Sequence, residues 1–433
     1  MRKYISEHNN SNKLSRRQWF KQGAGLGALA LSPFSISAEI LESQHKPNYV
    51  PLKPLENIKE LINSPVVIDR IEILRFGKEY MTRTTTRDGV VGYSMGNNRI
   101  PNLLTIYKDL VAPFFIGKDA RELAVMWDQF YYNSKERVYK YASMPLWNCF
   151  GQVEVTLLDI LGKVAQKPVC ELLGKVLSTE IPVYLSSLRR DTSPEQECEW
   201  LGERVEACQA KSIKIKIGGR MSKNVDAYPG RTENLVSYAR KFFGDDMDIN
   251  VDANGSYDVA KAIEVGRMLE DYGIGFYEEP CEWEDFVAHQ QVADVLRITI
   301  AGGEQDYSLP KWEWMMANGA LELIQPDIMY NGGILRTIHV ANMAMRYNLP
   351  VTTHNPRNNA EYANLLHLAA VLPNLGPFQE YRAEIPKGKI PYTPEISCHN
   401  GHVSILTQPG MGIQYDPDFM NQAEVLALIN QTW

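Results

Sequence analysis

From about residue 175 onward the chain repeats one pattern: a short run rich in β-branched residues, an amphipathic stretch, then another short run. The runs fall at 181–185, 213–217, 248–252, 275–278, 298–301, 321–325, 350–354 and 378–380. Amphipathic stretches such as 259–271 and 334–347 lie between them. Strand and helix alternating in this way, at intervals of roughly 25 to 35 residues, is the pattern of a parallel α/β barrel. An open, doubly wound sheet is the structural rival. Its first strand should lead into a glycine-rich turn, and Leu185-Ser186-Ser187-Leu188-Arg189 is not one.

The preceding chain has a different texture. Residues 67–74 read as a strand, and 84–93 as a hairpin turning at Asp88-Gly89. Helical periodicity follows over 102–133 and 147–162. The expected organisation is an N-terminal α+β capping domain at 65–175, a barrel at 176–384 and a C-terminal segment at 385–433. Residues 39–64, with Pro47, Pro51 and Pro54, read as a linker.

Residues 1–38 stand apart. Six basic residues and one acid precede a small-residue apolar run at 23–31 and then Ser35-Ile36-Ser37-Ala38. This is the layout of an export signal, too short in its apolar part to span a membrane. Arg16-Arg17, inside Ser15-Arg16-Arg17-Gln18-Trp19-Phe20-Lys21, resembles the twin-arginine type, which exports folded proteins to the periplasm. Without these residues, 39 basic and 51 acidic residues leave a net charge near −12, which argues against a nucleic-acid partner. Six cysteines, at 149, 170, 198, 208, 281 and 398, show no paired-ligand spacing and read mostly as buried thiols.

Chemistry in parallel barrels stands at the C-terminal ends of the strands. Reading those ends in order gives Lys214 and Lys216, then Asp252 with Asn254, then Glu278 or Glu279, Glu304, Asp327, His354 and Glu380. In Ser212-Ile213-Lys214-Ile215-Lys216 the alternation sends both lysines to one face. Taken alone this could be an edge strand with a solvated face. Three carboxylates at consecutive strand ends change the reading, because converging acids repel unless a cation neutralises them. An all-oxygen set suits a hard divalent ion, magnesium best. The alternation does not decide between Glu278 and Glu279.

The Lys-x-Lys strand, the Asp, Glu, Glu series and the Asp plus His pair occur in an order that resembles the enolase superfamily and, within it, the mandelate racemase-like group. The hairpin 84–93 and the segment 154–163, continuing to Pro168 and Leu172-Leu173-Gly174, share the resemblance. It implies a (β/α)7β TIM-like barrel beneath an N-terminal α+β capping domain, usually in a homo-oligomer. It also implies Mg2+ on Asp252, Glu278 and Glu304, holding a substrate carboxylate whose α-proton is removed to give an enediolate. Lys214 and the metal would meet the developing charge. Lys216 would be the general base, and His354, oriented by Asp327, a second acid or base. Glu380 resembles the eighth-strand acid that hydrogen-bonds the substrate carboxylate. Asn254 would contact substrate, and Tyr80, Arg83 and Asn97 are candidates from the lid.

Two bases permit two reactions from one enediolate: racemisation, or loss of a β-hydroxyl as water. A non-catalytic exported binding protein is a third reading, against which the full set of bases and ligands counts. Export favours a small-molecule or oligosaccharide acid as substrate. A uronate-terminated oligosaccharide would lose water in a dehydratase reaction, with no stable membrane anchor needed.

Overall fold

A computed structural model describes residues 50–385 and 390–430. The expected export signal, and residues 39–49 of the expected linker, lie outside the described residues. Residues 50–64 correct the linker reading. Leu55, Ile58 and Ile62 are buried, and the Leu52 backbone exchanges two hydrogen bonds with the Asn342 side chain. Three apolar residues spaced for one helical turn, Ile58–Leu61, give this stretch a face that must be covered.

Strands β1 (Ile68–Phe76), β2 (Glu79–Thr86) and β3 (Val91–Gly96) form an antiparallel meander. The helices α1 (Ile100–Ile106), α2 (Leu123–Asn133) and α3 (Met144–Ala165) follow. Helix α3 is buried on all sides from Leu146 to Gly162, because it lies between this sheet and the barrel. Most of its polar groups are therefore partnered inward, the Gln152 amide nitrogen being an exception. Asp159, for example, accepts from the backbone N–H groups of Tyr93 and Met411 and from Lys163 Nζ.

The barrel strands are β4 (Glu180–Ser186), β5 (Ser212–Lys216), β6 (Asp248–Asp252), β7 (Phe276–Glu278), β8 (Thr299–Gly302), β9 (Leu323–Ile324) and β10 (Gln379–Arg382). They pair in parallel in the order β10-β4-β5-β6-β7-β8-β9. Helices α4 (Pro194–Cys208), α5 (Arg231–Phe243), α6 (Val259–Asp271), α7 (Phe286–Val295), α8 (Leu309–Ala317), α9 (Ile334–Arg346) and α10 (Ala363–Ala369) connect them. With residues 351–354 in seventh place the architecture is (β/α)7β.

That seventh place departs from the expected strand. Val351 and His354 form isolated parallel bridges, to Ile324 and Leu375 and to Asp327. On the β10 side the Gln379 side chain substitutes for a ladder. Its carbonyl accepts from Thr353 N, and its amide nitrogen donates to Val351 O. Inside the barrel, Tyr184, Phe276, Ala301 and Leu323 fill the floor.

The remaining strands are β11 (Tyr392–Thr393), β12 (His402–Ser404), β13 (Gln414–Tyr415) and β14 (Glu424–Asn430). β12 pairs antiparallel with the first residues of β4. β14 pairs antiparallel with β1, giving the capping sheet the order β14-β1-β2-β3. Among the described residues no helix is long and apolar enough to cross a membrane.

Candidate active site

All five residues of β5 are buried, so its alternation separates two interior environments. The isoleucines face the helices, while Lys214 and Lys216 face into the barrel. A buried ammonium needs anions, and the neighbouring strand ends supply them. Lys214 Nζ lies 2.5 Å from Glu278 Oε2 and 3.0 Å from Glu380 Oε1. Lys216 Nζ is paired with Asp252 Oδ2. Burial alone would lower the Lys214 pKa, but Glu278 and Glu380 outweigh it and hold that lysine well above the usual range.

Asp252 ends β6, Glu278 ends β7, and Glu304 lies two residues past β8. One carboxylate oxygen from each falls within 4.8 Å of the others, and all three residues are buried. Burial and the charge of Asp252 push the Glu278 carboxyl up to about 7 against the pull of Lys214. Asp252 goes the other way, because Lys216, Lys214 and Arg190 outweigh its burial.

The three residues fit a hard divalent cation on an observation of their own. Glu278 Oε2 is saturated by Lys214 and by Gln325 Nε2 at 3.0 Å. Glu278 Oε1 is buried with no hydrogen-bond partner. An unpartnered buried carboxylate oxygen beside two other acids is an arrangement that a cation completes.

The choice between Glu278 and Glu279 is settled by placement. Glu278 joins the cluster, whereas Glu279 takes a left-handed backbone conformation with φ of +39°. Its side chain is also buried, and burial followed by the Glu304 charge raises its pKa well above the carboxylate range.

On the opposite flank His354 Nδ1 lies 2.9 Å from Asp327 Oδ2. Asp327 Oδ1 is fixed in turn by the backbone N–H groups of Met329 and Tyr330, at 2.8 and 2.9 Å. This leaves Nε2 of the imidazole facing the cluster, 3.1 Å from Glu304 Oε2 and 4.0 Å from Glu380 Oε2. Although burial opposes it, Glu304, Glu380 and Asp327 raise His354 to about 9. Glu380 accepts from Ser186 Oγ and from Asn355 N. Lys214 and His354 overcome its burial and lower it to about 2.

Asn254 is brought to the site, but through Asp252. Its backbone N–H and its side-chain amide both donate to that carboxylate. Its carbonyl accepts from Arg190 Nη2 at 2.7 Å. Arg190, not anticipated from the sequence, also donates to Gly218 O and places its charge near Asp252 and Glu304.

The lid candidates fare differently. Arg83 is a correction: it makes a two-pronged ion pair with Glu72 on the adjacent strand, 2.7 Å on each prong, so it braces the capping sheet. Asn97 is buried, with its amide 3.4 Å from Asn148 Oδ1 and its carbonyl accepting from Arg99 N. Tyr80 sits opposite Gly96 at the β2 end, half-buried. From the capping domain Arg99 approaches the loop after β9, its guanidinium 5.4 Å from the ring centre of Tyr330, whose N–H holds Asp327.

Residues 198–419 match the enolase C-terminal domain-like family. Residues 78–174 match the N-terminal domain of mandelate racemase and muconate lactonizing enzyme. An arabinonate dehydratase from Saccharolobus solfataricus is 28% identical over 340 residues, covering 76% of this chain and 86% of that protein. A provisionally assigned racemase from Roseobacter denitrificans superposes with a TM-score of 0.79 at 32% identity, over 84% of this chain and all of that one. A mandelate racemase/muconate lactonizing protein from Paracoccus denitrificans, solved with magnesium, gives 0.77 at 27% identity over 84% of this chain and 99% of that one.

Proposed function

The chain belongs to the mandelate racemase / muconate lactonizing enzyme family of the enolase superfamily, and on that premise we propose that it is a magnesium-dependent dehydratase of a sugar acid. One observation carries the reading: Asp252, Glu278 and Glu304 converge in the barrel mouth between Lys216 on one flank and the Asp327–His354 pair on the other. Similarity to an arabinonate dehydratase supports the reaction class.

In this reading Asp252, Glu278 and Glu304 hold Mg2+, which when bound supplies a Lewis acid for a substrate carboxylate. The protein's own residues do the rest. Lys216 Nζ takes the α-proton. Lys214 Nζ, held between Glu278 and Glu380, keeps a fixed positive charge where negative charge develops. Glu380, anchored by Ser186 and Asn355, orients the carboxylate. His354 Nε2 gives a proton to the departing β-hydroxyl, while Asp327 at Nδ1 fixes the tautomer and stabilises the protonated ring. The Arg99 guanidinium, 5.4 Å from the ring centre of Tyr330, adds a positive charge beside the loop that carries Asp327.

The finer reading follows from residues 1–38. A twin-arginine signal would deliver a folded enzyme to the periplasm, where acid sugars end partly degraded polysaccharides. A uronate there bears an α-proton at C5 beside a leaving group at C4, so we include a uronate-terminated oligosaccharide among the substrates to test.

The test is incubation with Mg2+ and a panel of aldonates and uronates in deuterated water. A 2-keto or unsaturated-uronate product is expected, and chelation should abolish it. Deuterium at the α-carbon without loss of water would replace this reading with a racemase, which the two-base geometry and the Roseobacter relative also support. Lys216→Ala should lower kcat by roughly 10²- to 10⁴-fold. Undiminished turnover in that variant rules out Lys216 as the base.

A further inference from the structure

Away from the mouth, at the barrel end where strands begin, the chain brings two cysteines together that lie far apart in sequence. Cys208 is the last residue of α4, and Cys398 lies in the loop before β12. The loop is docked by its backbone: Gly401 N donates to Cys208 O at 2.8 Å, and β12 pairs with Glu180, Ile181 and Pro182 at the start of β4. A second tie is Tyr381 Oη, which donates to Ile396 O at 3.2 Å. That docking brings Cys398, three residues before Gly401, to the end of α4, where each of the two cysteines is the largest influence on the other's titration and Arg204 acts on both. Both cysteines are buried, each 6% exposed. The other four cysteines are also buried free thiols.

We infer that Cys208 and Cys398 are a built disulfide site, closed when the folded protein meets a small disulfide oxidant, and that the bond fastens the C-terminal segment to the barrel. A disulfide needs two side chains held close to each other, and the docked loop holds Cys398 at the end of α4. Its chemistry is thiol–disulfide exchange. The Cys208 thiolate attacks one sulfur of the oxidant, breaking that S–S bond and releasing one thiolate. Cys398, giving up its proton, then attacks the Cys208 sulfur and expels the second thiolate, so one oxidant disulfide becomes two thiols.

Two features favour Cys208 as the attacking sulfur. The neighbouring Cys398 thiol and the Arg204 charge lower the Cys208 thiol below its usual range, which favours its thiolate. A surface depression of about 580 Å³, lined by Gln209, Lys211 and Asn400, opens beside the neighbours of both cysteines. The bond closes a loop running from 208 to 398 in the unfolded chain, long enough for a substantial restriction of its freedom. This inference is independent of the reaction proposed above, since the pair is remote from the carboxylates.

Oxidation of the purified full chain with oxidised glutathione, then denaturation, maleimide labelling and peptide mass mapping, tests it. The expected result is one cross-linked peptide joining Cys208 to Cys398, four labelled cysteines, and a Tm a few degrees above that of the dithiothreitol-treated protein. Cys398→Ser should lose the cross-link and the Tm difference, while Cys149→Ser keeps both. Mapping on the unmutated protein needs no variant to fold. Six labelled cysteines after oxidation, cross-links to other cysteines, or a lasting glutathione adduct on Cys208 would each overturn the inference.

Discussion

Two side chains near the cluster act through the atoms they hold. Gln325 occupies one oxygen of Glu278 and leaves the other unpartnered, so Gln325→Leu, of similar volume, should free Glu278 to turn. Mg2+ affinity should fall roughly 10-fold or more, as read by calorimetric titration. At Asp327 the expected effect separates binding from chemistry. In Asp327→Asn the Oδ1 position can still accept from Met329 and Tyr330, but an amide facing His354 Nδ1 imposes the opposite tautomer. The measurement is kcat against Mg2+ affinity: kcat should drop about 10²- to 10⁴-fold with Mg2+ affinity unchanged. The strand-end residues were readable because strand, register and barrel rule each act on short sequence. Arg190 and Gln325 were not, since their roles depend on the direction in which a loop and a short strand aim their side chains. Arg83 misled for a related reason: a hairpin reveals its turn and its alternation, but not which face meets the mouth.

At the scale of elements, helix α3 does more than cover the capping sheet. Both Glu154 oxygens accept from the first N–H groups of α9, on Ile334 and Leu335, at 2.6 and 2.8 Å. The approach is close enough that a Cβ at Gly333, whose φ is +107°, would meet Glu154 Oε2 at 1.9 Å. Complete burial raises the Glu154 carboxyl to about 8 despite those N–H groups. A carboxyl with a raised folded pKa binds more protons folded than unfolded. Its contribution is therefore greatest below about pH 4.5 and is lost as pH rises through about 8, by up to about 5 kcal/mol as an upper bound. Urea titrations at several pH values should show Glu154→Gln flattening that decline, whatever the variant's absolute stability. The seventh barrel place shows how far elements were legible. Its β-branched run marked the position, yet the Gln379 side chain, a long-range substitute for backbone pairing, has no local signature. Residues 50–64 looked like linker because Pro51 and Pro54 and several polar residues punctuate them, while the few residues that dock are ordinary leucines and isoleucines.

Across the whole molecule, the eightfold alternation specified the barrel, whereas the way its caps close could not be read from any single stretch. The capping sheet is assembled from both sides of the barrel sequence. Arg70 lies opposite Asn430, and Arg75 reaches Glu424, 349 residues along. Deleting residues from 424 onward should leave the barrel's far-UV spectrum and its Mg2+ binding largely intact. It should also uncover the β1 edge and promote self-association, visible by size-exclusion chromatography, with turnover impaired. The β1–β14 pairing also sets an order of events during biosynthesis. Strand β1 clears the ribosome early and must wait, with one edge unsatisfied, while every barrel strand is made. The cleft lined by Asp252, Glu278 and Glu304 can therefore assemble before its cover, and the cover's sheet is completed only after residues 424–430 have left the exit tunnel.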